Sequence, residues 1–289
     1  MGLLRHLTAD SKPPLSAAGS SADEVPADKP QQLAPPQQPP PQQPPPQYPQ
    51  PHPTSSYANP TRPAAPTYAA LHLARSDRVR LVGFPPSVIQ PVHDAIWGSW
   101  ALGIQKESTF DPVSYEFKLK GNPWYGQGEQ AVPSRRLVSH LLACLSSQGW
   151  HLASAVDLSR KGYDKDTLLF RSGPPIRRQV FSVSFNQGDK ARIIDPPSEE
   201  VKDAFFAATS SWPAGIQSQA LKEPGAWQVK LRGYPWYTSS GSEVNHARLL
   251  ACNILSALDG LGWELIGSVD ISQGGEGQDL DSWFFGQKI

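Results

Sequence analysis

Apolar residues recur along this chain with two different spacings, and the alternation between them marks out helices and strands. In Ile89, Val92, Ile96 and Trp100 the interval is three or four residues, the period of one helix face, and Leu137, Val138, Leu141, Leu142 and Leu145 show it again. In Tyr115-Glu116-Phe117-Lys118-Leu119-Lys120 apolar and charged residues alternate, the period of a strand with one buried and one wet face. Trp150 to Ser159 alternates in the same way, and a short strand ending at Phe170 is placed to pair back on it. A sheet with one wet face favours antiparallel pairing.

The whole pattern occurs twice. Pro85-Pro86-Ser87 returns as Pro196-Pro197-Ser198, and Trp100, Gly103, Ile104 and Gln105 return as Trp212, Gly215, Ile216 and Gln217. Phe117-Lys118-Leu119-Lys120-Gly121-Asn122-Pro123-Trp124-Tyr125 aligns with Val229-Lys230-Leu231-Arg232-Gly233-Tyr234-Pro235-Trp236-Tyr237, and Gly149-Trp150 with Gly262-Trp263. Colinear matches of this number establish an internal duplication. Each copy reads as strand, strand, helix, strand, helix, strand, strand: an α+β unit, ββαβαββ, with two helices on a mainly antiparallel sheet. The first hairpin turns near Ser76-Asp77 in one copy and Gln187-Gly188-Asp189 in the other, and Ser87 and Ser198 are natural helix N-caps.

Composition separates these copies from what precedes them. Of the 31 prolines 18 lie in residues 1–66, together with a run of glutamines, whereas all nine tryptophans lie beyond. The first segment has too little apolar surface to offset its ordering entropy and reads as a disordered Pro/Gln-rich tail. The expected organisation is therefore tail 1–66, first repeat 67–173 and second repeat 174–289. The connector between the copies, Ser172 to Gln179, is short, which favours packing of one against the other.

Charge narrows the function classes. Lys plus Arg and Asp plus Glu both total 26, so no net charge draws the chain to nucleic acid or an anionic membrane. Residues 67–173 hold 12 basic and 9 acidic side chains, against 10 and 13 in 174–289, a bias expected of two faces that meet and also of simple drift. No apolar run has the length of a membrane span, and at Met1-Gly2-Leu3-Leu4-Arg5-His6 a histidine stands where a myristoylation signal wants Ser or Thr. An intracellular protein, cytoplasmic or nuclear, is the expectation. Cys144 and Cys252 lack metal-binding or redox spacing and read as buried thiols.

Four features carry candidate chemistry. The Pro-Trp-Tyr corner places Trp124 and Tyr125, and again Trp236 and Tyr237, where they can wall a ligand site, although capping the end of the core explains the two tryptophans more economically. Asp157, Asp164 and Asp166, repeated as Asp270, Asp279 and Asp281, gather near the last hairpin. Such carboxylates suit a hard cation, but turns are rich in Asp for backbone reasons, and no metal is expected. Lys118 and Lys120, with Lys230 and Arg232, form a basic stripe on the wet face, which is expected to be merely solvated. In the tail, Pro45-Pro46-Gln47-Tyr48 fits the Pro-Pro-x-Tyr ligand of WW domains, with Pro45, Pro46 and Tyr48 as contacts.

No histidine recurs between the copies, Ser159 and Ser272 lack a matching base, and no phosphate loop or nucleophile elbow is present. These observations favour a non-enzymatic interaction or adaptor protein that needs no cofactor, with a tandem module and a recruiting tail. The alternative is a small-molecule or lipid-binding protein with its site between the two repeats.

Overall fold

The computed structural model describes residues 65–158, 165–239, 241–271 and 280–289. The first copy runs β1 (Tyr68–Ala74), β2 (Arg78–Val82), α1 (Ile89–Ser99), β3 (Ile104–Asp111), β4 (Ser114–Leu119), α2 (Ala131–Ser147), β5 (Trp150–Val156) and β6 (Thr167–Ser172). The second repeats it as β7 (Val180–Asn186), β8 (Lys190–Ile194), α3 (Glu199–Thr209), β9 (Ile216–Glu223), β10 (Ala226–Leu231), α4 (Ser242–Gly260), β11 (Trp263–Val269) and β12 (Ser282–Gln287). Each copy builds one six-stranded sheet, β3-β4-β2-β1-β6-β5 and β9-β10-β8-β7-β12-β11, of antiparallel pairs in the same order. The tandem α+β duplication is thus present, with one strand per copy more than the apolar pattern shows. That strand, β3 or β9, is an edge exposed at six consecutive positions. Neither of its faces is covered, so nothing selects an apolar alternation along it.

Equivalent residues make equivalent bonds. The indole N–H of Trp100 donates to Lys120 O at 2.9 Å and that of Trp212 to Arg232 O at 2.8 Å. Trp124 donates to Arg78 O and Trp236 to Lys190 O, tying each Pro-Trp-Tyr turn to the start of the second strand of its copy. At that strand's far end Gly83 and Asp195 both take positive φ, 73° and 52°. The helix entries differ: Ser198 caps α3 by accepting the N–H of Val201, whereas Ser87 lies inside a 3-10 turn, Pro86–Val88, that leads into α1 and leaves it no capping role. The basic stripe is partly neutralised in both copies, Lys118 lying 3.9 Å from Asp77 and Lys230 3.7 Å from Asp189.

Each sheet carries its own helices on one face. Leu71, Leu73, Val79, Phe117, Phe170 and Trp150 meet Val92, Ile96, Leu137, Leu141 and Leu145 in the first copy. Phe181, Val183, Ile193, Val229, Phe285 and Trp263 meet Val201, Phe205, Leu250, Ile254 and Leu258 in the second. The copies then stack without symmetry, the helix side of the first lying on the outer sheet face of the second. Along that face the strand register sets Phe284, Ser182, Ile194 and Ala226 side by side. Val132 of α2 packs on Ile194 and Ala226, and Phe284 joins the core of the first copy. As a result β7 is buried on both faces, where a wet face was expected, while its counterpart β1 keeps a half-exposed outer side.

Charged groups bind the seam as well. Arg136 of α2 donates twice to the Asp195 carboxylate, at 2.6 and 2.8 Å, and once to Pro224 O, and lies 3.6 Å from Glu223. Buried Arg135 donates to Ser282 Oγ at 2.9 Å. At the other end Asp166 accepts the backbone N–H of Asp270 at 2.8 Å, and Leu152 lies over Gly267, where a Cβ would come within 2.4 Å of it. One base of the first copy, Arg136, therefore faces two acids of the second, while at the other end Asp166 lies beside Asp270 and Asp281. Cys144 is half-buried, and burial pushes its thiol up to about 11. Cys252 is exposed, contrary to expectation, because α4 turns to solvent the side that α2 presses on the second sheet.

Trp150→Ala or Trp263→Ala should cost roughly 3–5 kcal/mol in a denaturant melt, since each ring is a buried anchor at the end of its sheet. A loss below about 1 kcal/mol would refute the anchoring role. A second expectation concerns Asp166, whose carboxyl is held above its ordinary range by burial, and by Asp281 and Asp157, against the Asp270 N–H and Lys165. A raised carboxyl favours folding in its neutral form, so its contribution is full below the ordinary value of 3.8 and is lost as pH climbs through the raised one. Asp166→Asn should therefore gain stability relative to the parent as pH rises from 4 to 7. A pH-independent difference in urea midpoints would refute this.

Candidate functional site

The two Pro-Trp-Tyr corners are built alike and end differently. In the first copy Ser134 of α2 donates its hydroxyl to Pro123 O and also to Gln130 O, drawing the helix onto the turn. Val138 fills the space one turn further on, Arg135 donates to Gly126 O and Ala131 O over the top, and Trp124 has no exposed surface. Its ring is a core element and offers nothing to a ligand. In the second copy the helix alignment places Ala247 opposite Ser134 and Ala251 opposite Val138. The hydroxyl tie is gone, two methyls are missing, and a cavity of about 390 Å³ stands between the turn and α4.

Three aromatic rings wall this cavity: Trp236 from the corner, Phe185 from β7 and Trp283 from β12. Phe185 meets both indoles edge to face, with ring centroids 4.8 Å from each. Edge-to-face packing fixes all three rings, so the wall is preformed. Ala247 and Ala251 form its helix side, while Arg248 and Asp281 bring opposite charges to the lining, Asp281 also accepting from Ser268 Oγ at 2.9 Å. Such a site suits a large apolar or aromatic group flanked by polar atoms. Outside it Tyr234 and Tyr237 are two-thirds exposed and close on Gly188, where a Cβ would fall 2.5 Å from the Tyr237 ring and 2.9 Å from the Tyr234 ring. Only glycine leaves room for that pair of rings. Tyr125 is half exposed on the first copy.

Of the candidate wall residues, then, Trp236 lines a cavity, Tyr237 follows it in the same turn, Tyr125 is half exposed, and Trp124 is interior. Phe185 and Trp283 escape motif reading because their first-copy counterparts, Leu73 and Leu168, are not aromatic. The signal lies in the differences between the copies: two residues shrink on the helix while two become aromatic on the sheet.

A second cavity of about 390 Å³ lies at the seam, between α2 and the start of the second sheet, with Ser139, His140, Arg178 and Asp195 in its lining. Ser139 Oγ and Arg178 Nε are buried without a hydrogen-bond partner there. The carboxylates gather only in part: Asp166 reaches the backbone of Asp270 and lies near Asp281 and Asp157, beside buried Lys165. Among the described residues no group of three or more His, Cys, Asp or Glu is arranged to hold a metal ion, and no helix is long and apolar enough to cross a membrane. Asp164, Asp279, Ser159, Ser272, Pro45, Pro46 and Tyr48 lie outside the described residues.

No curated protein matches the chain. Among solved structures a conserved kinetoplastid-specific protein from Trypanosoma cruzi is similar at 17% identity, with a TM-score of 0.26, over 38% of this chain and 94% of that one. A protein-family model for one domain matches twice, over residues 67–171 and 179–286, which together make up most of the sequence. The chain therefore belongs to the family which that domain defines, and carries the domain in two copies.

Proposed function

We propose that the chain is a non-enzymatic interaction protein whose second repeat receives an aromatic or long aliphatic side chain of a peptide partner. The observation that carries this reading is the cavity walled by Phe185, Trp236 and Trp283, at a corner where the first repeat, with the same fold, buries its equivalent ring Trp124 completely. A rigid aromatic wall loses little entropy on binding, and a single buried anchor supplies most of the energy of such contacts. Arg248 and Asp281 favour a segment with polar groups of both signs around its anchor.

A closed pocket is available as a control, because the first copy shows how to make one. Ala247→Ser with Ala251→Val restores the hydroxyl tie and the missing methyls, and should add on the order of 1 kcal/mol of stability. Peptides selected from a random display library on the full parent chain should share one aromatic or aliphatic anchor and bind the double variant at least about tenfold more weakly. Equal binding to both would end this reading. The seam cavity supports a second one, a small polar ligand between the repeats, because Ser139 Oγ and Arg178 Nε in its lining lack hydrogen-bond partners, Arg178 being paired with Glu264 through Nη1 alone. A ligand seated there would raise the melting temperature of parent and double variant alike, which separates the two sites.

The tail adds a recruiting element. Consecutive prolines hold polyproline II geometry before contact, and Tyr48 supplies the ring for a WW groove, with Pro45 and Pro46 as its lead. A peptide of residues 38–53 should bind WW domains at micromolar strength or weaker, and Tyr48→Ala should remove that binding. Identical behaviour of the two peptides on a WW-domain array would leave the tail a spacer.

A further inference from the structure

The repeats dock through unlike surfaces, the helix side of the first and the outer sheet face of the second, so one copy of each surface is left over. On the first sheet the register sets Leu169, Ala70, Val82 and Ser114 side by side on the outer face. This row is the counterpart of Phe284, Ser182, Ile194 and Ala226, which α2 covers. It keeps the same sequence of shapes, a large apolar residue, a small one, a β-branched one and a small one, and three of its members, Leu169, Ala70 and Val82, are only partly buried. On α4, Asn245, Arg248, Leu249 and Cys252 stand where α2 has Val132, Arg135, Arg136 and Ser139. All four are exposed, Leu249 to 56%.

The differences between the occupied and the free surfaces come in pairs. Where Arg136 meets Asp195 inside the chain, the free surfaces offer Leu249 and Gly83, with both charges absent. Val132 packs on Ala226, while their counterparts are Asn245 and Ser114, both polar, the Ser114 hydroxyl being donated to Asp111. Buried Arg135 donates to Ser282 Oγ, and the free pair is Arg248 and Thr167, a base and a hydroxyl again. A cavity of about 360 Å³ opens at this end of the first sheet: Gly83, Asp111 and Val113 on its rim are the counterparts of Asp195, Glu223 and Gly225 beside Arg136, and Leu81, Ile89 and Tyr115 line it from the helix side. Its size and the apolar Phe84 and Val113 suit a leucine better than a guanidinium.

We propose that this protein associates with itself head to tail, α4 of one molecule docking on the outer face of β1, β2, β4 and β6 of the next, with Leu249 in the Gly83–Val113 cavity. The occupant is a second copy because the inter-molecular contact continues the intramolecular one with matched substitutions on both sides. A contact between unlike surfaces leaves one of each free at every step, so it closes into a ring or extends as a chain and does not stop at a symmetric dimer.

The test uses the full chain of 31.5 kDa in sedimentation across the micromolar range. The weight-average mass of the parent should rise with concentration past that of a dimer. Val82→Lys disables the sheet face and Leu249→Lys the helix face, and each variant alone should remain a monomer with a parent-like thermal melt. Mixed one to one they should form a dimer and nothing larger, because the intact helix face of the first still fits the intact sheet face of the second. That restoration also shows that both variants are folded. A parent that stays monomeric, association that survives either variant, or a mixture that stays monomeric would each overturn the proposal.

Discussion

Everything in this molecule depends on α2 being buried on two sides. Its Leu137, Leu141 and Leu145 face the sheet of its own copy, while Val132, Arg135 and Ser139 lie against the sheet of the other, so apolar and small residues occupy nearly the whole circumference. A helix of that kind cannot rest on one sheet without exposing the rest of its surface. The outer face of the second sheet is equally dependent, since Phe284 and Ile194 would meet water without α2. The two copies are therefore two layers of one core rather than beads joined by a connector. The connector agrees: Ile176 donates its N–H to Ser146 O and accepts the Ser146 hydroxyl, fixing the link to the end of α2.

The same constraint explains why the copies could diverge where they did. α2 must satisfy two sheets and so keeps Ser134 and Val138, which hold it to its turn. α4 has one sheet to satisfy, and its buried residues reduce to Ala247, Leu250, Ile254 and Leu258. Loss of the hydroxyl and of two methyls on α4 opens a cavity, which in a core costs stability in proportion to its volume. Here Phe185 and Trp283 offset part of that cost by packing on Trp236 from the strand side. A cavity that persists with its walls reinforced is better placed to bind than one left by simple truncation.

Much of this was legible in the sequence because the two copies check each other. Residues that agree in type and period, such as Trp100 with Trp212 and Trp150 with Trp263, are buried at the expected places in both. Three things were not legible. The edge strands β3 and β9 have no covered face and so no periodic signal. The stacking of the copies rests on a row of which Ser182 and Ala226 are half, and small residues look alike whether covered or bare. Arg136, Asp195 and Glu223 belong to elements far apart in the chain, and a charge total cannot say which groups meet.

The aromatic cavity lies outside what agreement between the copies can signal. Agreement between copies selects what the shared fold requires, and Trp124 is what the fold requires: a ring with no exposed surface whose indole holds a strand start to a turn. Trp236 performs that same duty through Lys190 O and still presents a face to the cavity, so the shared residue is permissive for binding without being specific to it. Specificity has to come from positions free of the common duty, and those are by construction the mismatches: Ala247 for Ser134, Ala251 for Val138, Phe185 for Leu73 and Trp283 for Leu168. In a duplicated chain, then, matched positions report the core, and clustered mismatches that together remove volume on one element and add rings on the facing one report where a partner can enter.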